Sequence, residues 1–274
     1  MIDWRNLRLT QIGLAVEGSD DKLLVEAFLD AGEQQGLWQN WTSKLRVEVA
    51  NEPSGSRGVF RELSESPDPK KPVIWGLIDR DWRTPSEISA LERQYPRLLI
   101  LPRRMIENYC LDPDEFLPML PKVQRDKLNE TELRADIEKS LADWLKHGAL
   151  AAILYENGAD DFCRGTSGYP RGLLSAPKTN ESEILAALQN WHRQLDPDPL
   201  LNNYRRRVQE YQLRTTGDHY RECVDGKEFF NQIIVQQILN RRLKQQNRDA
   251  WIEILKRGCT SYPADFAPLM SRLL

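Results

Sequence analysis

Four short apolar runs, spaced by stretches of helical character, occupy the first hundred residues and constrain the fold more than any other feature. Ile12 to Glu17 (I-G-L-A-V-E), Leu45 to Val49, the apolar opening of Val73 to Thr84 (V-I-W-G-L-I-D-R-D-W-R-T) and Arg97 to Leu101 each have the length and composition of a buried strand. Between them, Ser19 is expected to cap a helix whose Leu23, Leu24, Ala27 and Phe28 share one face, and Val59 to Leu63 follows an S-G-S-R-G turn into another. Thr84-Pro85-Ser86-Glu87 has the form of a capping box with proline at the first helical position. Alternating strands and helices predict an α/β unit, a mainly parallel sheet flanked by helices on both faces. On such sheets, ligands bind outside the carboxyl ends of the strands. The residues that follow the strands therefore carry the most information.

Those residues are acidic. Glu17 ends the first strand, and Asp79 and Asp81 end the third. One reading makes the aspartates turn formers or caps. Thr84 already supplies the cap, which weakens that reading. Another uses strand alternation, which presents residues i and i+2 on one side, to offer both carboxylates to a hard cation. Chain order does not decide whether the first and third strands are neighbours. If they are, three carboxylates converge, repel one another and rise in pKa unless a cation neutralises them, and Mg²⁺ or Mn²⁺ suits an all-oxygen set.

The remainder of the 274-residue chain is read more coarsely. With 40% hydrophobic and 29% charged residues, it has the composition of a soluble globular protein, expected in the cytoplasm and without a membrane span. Cys110, Cys163, Cys223 and Cys259 form no C-x-x-C pair, and His147, His192 and His219 lack ligand spacing, which disfavours zinc and a disulfide framework. Residues 1–112 are expected to form the α/β domain. Residues 113–222 form a mostly helical domain or insertion, with Leu133, Ile137, Leu141, Trp144 and Leu145 on one helix. Ile184, Leu185, Leu188, Trp191 and Leu195 mark another, capped by Asn180 and Glu183. Residues 156–178 read as an irregular surface loop. Residues 223–274 carry the stripe Phe229, Phe230, Ile233, Ile234, Ile238 and Leu239, expected to pack back on the N-terminal sheet. The net charge of −3 hides a basic last part: 13 Lys plus Arg against 8 Asp plus Glu beyond residue 200. Arg205, Arg206, Arg207, Arg241 and Arg242 are either solvated helix faces or contacts to a phosphate backbone. Gly226-Lys227 lacks the earlier glycine of a P-loop, so ATP hydrolysis by this chain is not expected.

V-E-G-S-D-D-K (Val16 to Lys22), followed about sixty residues later by L-I-D-R-D, resembles the two signature motifs of the Toprim domain of topoisomerases, primases and OLD-type nucleases. Glu17, Gly18 and Asp21 are particularly similar to the OLD-type branch and to Toprim effector nucleases of bacterial anti-phage systems such as PARIS. I-E-N-Y-C-L-D-P (Ile106 to Pro113) and V-D-G-K-E-F-F (Val224 to Phe230) resemble later elements of those effectors. The resemblance implies a nuclease in which Glu17, Asp79 and Asp81 hold one Mg²⁺ or Mn²⁺ and Asp21 reaches a second. It further implies that Lys227 stabilises transition-state charge and that Glu107 is a further site candidate. Glu107 has an ion pair with Arg103 or Arg104 as its alternative. The implied partners are a nucleic-acid substrate and a regulatory ATPase, and a homodimer is compatible with it. Two rivals stay open. The D-x-D run also resembles the nucleophile motif of haloacid-dehalogenase-like phosphatases, though Arg83 stands at its Thr/Val position and Thr84 comes one place late; a non-catalytic module binding nucleic acid or an ATPase is the other.

Overall fold

The computed structural model describes residues 2, 4, 7, 11–50, 55–64, 72–156, 180–191, 197–243 and 248–274. Cys163, His192, Leu195, most of the proline-rich connection before Val73 and nearly all of the expected 156–178 loop fall outside them.

Strands β1 (Ile12–Val16), β2 (Leu45–Val49), β3 (Ile74–Ile78) and β4 (Leu98–Ile100) form one all-parallel sheet in the order β2-β1-β3-β4. Leu14 sits opposite Val47 on one side and Trp75 on the other, and Leu77 opposite Leu99. Side chains alternate between faces. Leu14, Val16, Leu77 and Leu99 therefore enter the larger core, while Ala15, Ile78, Leu98 and Ile100 enter a smaller one behind the sheet. Burial on both faces explains why these strands read as continuous apolar runs.

Helix α1 (Ser19–Gln34) covers the first face with Leu24, Val25, Ala27, Phe28, Leu29 and Ala31, and Leu23 is only half-buried. Ser19 is not its cap. It is the first helical residue, no side chain caps the helix, and Asp20 and Asp21 in the first turn complement the helix dipole instead. A short α2 (Trp41–Lys44) leads into β2. On the second face lie α3 (Ser56–Ser64) and α4 (Pro85–Gln94). The capping box at α4 forms as expected: Glu87 N–H donates to Thr84 Oγ1 at 3.3 Å and Thr84 N–H to Glu87 Oε2 at 2.7 Å.

After β4 come a 3₁₀ turn (Ile106–Cys110), α5 (Pro113–Met119), α6 (Lys122–Arg125) and α7 (Glu130–Leu154), then α8 (Glu181–Trp191) and α9 (Pro197–Gln212). Leu133, Ile137, Leu141, Trp144 and Leu145 are buried along α7, as their spacing requires. Asn180 caps α8 by accepting from Glu183 N–H at 2.8 Å. A π-wound turn, His219–Cys223, precedes α10 (Gly226–Phe229), which continues into a π-wound segment, Phe230–Leu239. Then follow α11 (Asn240–Leu243), α12 (Arg248–Gly258) and α13 (Ala267–Met270).

The 226–239 stripe is buried, with Val235 added to it, but its main partners are the 3₁₀ turn and α7 rather than the sheet. Trp144 meets Phe229 edge-on at 5.5 Å. Helix α1 already covers that face of the sheet, and the C-terminal part reaches it through α12, which packs on α1. One continuous core runs from Leu14 to Leu273 through all three expected parts of the chain. The described residues of 113–222 accordingly share the core of the α/β unit.

Candidate metal centre

β1 and β3 are neighbours, and the chain leaves them toward opposite edges of the sheet. The crevice between their carboxyl ends is thus the topological switch point, where open α/β sheets bind ligands. Glu17 is the first residue past β1 and Asp79 the first past β3. They touch: Asp79 N–H donates to Glu17 Oε1 at 3.1 Å. Gly18 is extended at φ −148°, so it does not supply an unusual turn there. Its missing side chain matters for room, because a Cβ would lie 3.1 Å from Asp21 Oδ2.

Strand alternation does not align Asp79 with Asp81, since β3 stops at Ile78. A turn does it. Asp81 adopts the left-handed region at φ 50°, which Asp tolerates better than most residues, and its N–H donates to Arg104 O at 2.8 Å. Asp79 Oδ1 accepts Ile106 N–H at 3.0 Å. Arg83 Nη1 donates to Asp81 Oδ2 and to Asp79 O, both at 2.7 Å.

Further charges complete the cluster. Asp21 lies one turn into α1; Glu107 (3% exposed) is on the 3₁₀ turn; Asp225 (5% exposed) caps α10, accepting Glu228 N–H at 3.0 Å. Burial, then Asp81 and Asp21, push the Glu17 carboxyl up to about 8. Burial and Glu107 raise Asp21 to about 7, against the opposing pull of Lys227 and the Gly18 amide. Burial followed by Asp21, Glu17, Glu107 and Asp81 drive Asp79 well above the usual carboxylate range. Asp81 also rises through burial, moderated by Arg83, Arg104 and Lys227, and burial takes Asp225 to about 7. Lys227 stands exposed at the start of α10, close enough for its charge to act on Asp21 and Asp81.

The segments that bring Glu107, Asp225 and Lys227 here interlock through Asn108. This buried side chain accepts Met105 N–H at 2.9 Å and donates to Tyr220 O at 2.6 Å and Val224 O at 3.3 Å. A Cβ on Gly226 would collide with the Asn108 side-chain oxygen. The E-N-Y and G-K stretches are thus two halves of one joint.

A hard divalent cation fits the chemistry of this donor set, which is all oxygen, crowded and pushed toward the protonated form by burial and neighbouring carboxylates. Glu17, Asp79 and Asp81 each have one oxygen in a hydrogen bond, which fixes its orientation and leaves the other for a ligand. Among the described residues no three His, Cys, Asp or Glu side chains stand ready to hold an ion. Asp81 Oδ2 is held by Arg83, which leaves Oδ1 as the oxygen through which a cation would take Asp81.

Other expected site residues lie apart from this centre. Arg205 pairs with Glu181, Arg206 with Glu210, Arg207 with Glu156, and Arg242 with Glu132 and Asp136; Arg241 is exposed on α11. Acids from other helices thus neutralise most of the basic clusters. Arg103, offered by sequence to Glu107, is buried between Glu115 and Asp265 and lies 4.0 Å over the Tyr109 ring. Asp225 and Arg83 were not singled out from the sequence as site residues. The acid directly before Gly226-Lys227 was the available signal for Asp225, and the departure from the phosphatase motif was the signal for Arg83. No protein-family model matches the chain, and no curated protein matches it. Among the described residues no helix is long and apolar enough to cross a membrane.

Proposed function

We propose that the chain is a divalent-metal-dependent nuclease with a Toprim-like core, hydrolysing phosphodiester bonds of DNA or RNA. The observation that carries this reading is the gathering of Glu17, Asp21, Asp79 and Asp81 at the β1/β3 crevice, with raised carboxyl pKa values and a lysine at the rim. Glu17, Asp79 and Asp81 would hold one Mg²⁺ or Mn²⁺, and Asp21 with Glu107 a second. When bound, such an ion polarises phosphoryl oxygens and supplies a nucleophile at neutral pH. The chain's own part is positional and electrostatic. The backbone amides of Asp79 and Ile106 orient Glu17 and Asp79, and Lys227 offsets charge developing on the phosphate. Control by a partner ATPase in an anti-phage system rests on the sequence resemblance alone.

The test incubates the full chain with supercoiled plasmid, total tRNA and a small phosphate ester in Mg²⁺, Mn²⁺ or EDTA, beside Glu17→Gln and Asp79→Asn. Metal-dependent cleavage of nucleic acid is expected, reduced at least about a hundredfold in both variants. Cleavage that persists in EDTA or in both variants, or turnover of the small ester alone, would contradict the reading.

A further inference from the structure

A second charged cluster, of opposite sign, borders the carboxylates. Arg80, Arg104 and Arg214 surround one acid, Glu222: Arg80 Nη1 is 3.6 Å and Arg214 Nη1 2.6 Å from its carboxylate, and Arg104 Nε donates to its backbone carbonyl. Arg104 is 8% exposed, and among the described residues no carboxylate lies within ion-pair distance of it. Its partners are two carbonyls, Glu222 O and Asp81 O (2.7 Å), and the Trp82 ring 3.9 Å beneath it. The Arg80 Nε is buried without a hydrogen-bond partner among the described residues. Arg214 is 40% exposed and lies 5.4 Å from the Tyr211 ring centre.

Arg80 and Arg214 share the Glu222 carboxylate, while Arg104 has only carbonyls as close partners and the Arg80 Nε has none among the described residues, so these guanidinium groups keep donor capacity that an anion could complete. The cluster is fastened to the carboxylate centre, because Arg104 holds both the carbonyl and the N–H of Asp81. We infer that Arg80, Arg104 and Arg214 form a phosphate subsite that seats the nucleic-acid backbone beside the carboxylates. The inference rests on the nuclease reading for the identity of the ligand. Guanidinium forks match phosphate oxygens. Contacts to phosphate position the strand without reading its sequence.

Binding in EDTA separates this subsite from catalysis. Fluorescence anisotropy of the full chain with labelled single-stranded DNA, duplex DNA and an RNA hairpin compares wild type with Arg80→Gln, Arg214→Gln, Glu222→Gln and the control Arg134→Gln, whose ion pairs with Asp114 and Glu130 lie elsewhere. Each of the first two variants is expected to weaken binding about tenfold and to reduce the slope of log affinity against log salt by about one. Glu222→Gln should tighten binding, an outcome that mere structural damage would not give. The strongest of the three probes identifies the backbone that is held. Unchanged affinity and slope in Arg80→Gln and Arg214→Gln, or no binding of any probe by the wild type, would overturn the subsite. Binding with the expected losses but no cleavage on adding metal would leave the subsite standing and remove the nuclease reading.

Discussion

Five carboxyl groups with raised pKa values around one crevice make the protein's stability depend on pH in an uncommon direction. Glu17 titrates near 8 in the folded chain against an ordinary 4.5, and Asp21 and Asp225 near 7 against 3.8. Between those values the folded state holds protons that the unfolded state has released, so stability falls as pH rises. Thermal unfolding in EDTA, followed by circular dichroism, should show a midpoint several degrees lower at pH 8 than at pH 5. Asp79→Asn removes one charge from the centre; it should flatten that dependence and raise the midpoint at pH 8. A midpoint that climbs from pH 5 to pH 8 would refute the repulsion assigned to this site. Lys227 belongs to the same scale. Its ammonium cannot ligate a cation, so Lys227→Ala should lower turnover about a hundredfold while leaving Mn²⁺ affinity unchanged. Weakened Mn²⁺ binding in that variant would give the lysine a structural role instead.

Elements were legible where local periodicity decides them. The four strands, the α4 capping box and the buried stripe of α7 follow from residues within a few positions of one another. The Asn108 joint was not, because its partners at Tyr220 and Val224 depend on how a distant segment folds back. An apolar stripe states that 226–239 is buried, not against what, and the turn and α7 took the place expected for the sheet. The partners of the basic clusters were not legible for a similar reason: Glu181, Glu156, Glu132 and Asp136 arrive from other helices to pair with Arg205, Arg207 and Arg242. Glu17 and Asp79 were readable because strand ends are local, whereas the alignment of Asp81 depended on a left-handed turn past β3. Asn108→Ala leaves two carbonyls and an amide unsatisfied in the core and should cost about 3 kcal/mol in urea unfolding. Gly226→Ala should act at the same joint. If both variants unfold like the wild type, the joint does not hold the two segments together.

Across the whole molecule, one core joins the sheet, the helical middle and the C-terminal helices, and the centre collects side chains from residue 17 to residue 227. Folding and assembly of the site are therefore one event. Calorimetry should give a single transition with matching calorimetric and van't Hoff enthalpies, and two resolved transitions would mean that residues 1–112 fold independently. The convergence of carboxylates to hold a cation is tested most directly by isothermal titration of Mn²⁺ into the metal-free full chain at pH 7, in two buffers of different ionisation enthalpy. Ligands that carry protons must release them when an ion binds. Saturable binding with net proton release is expected in the wild type, with both lost in Asp79→Asn. Absence of binding, or identical binding without proton release in both proteins, would contradict the proposed centre.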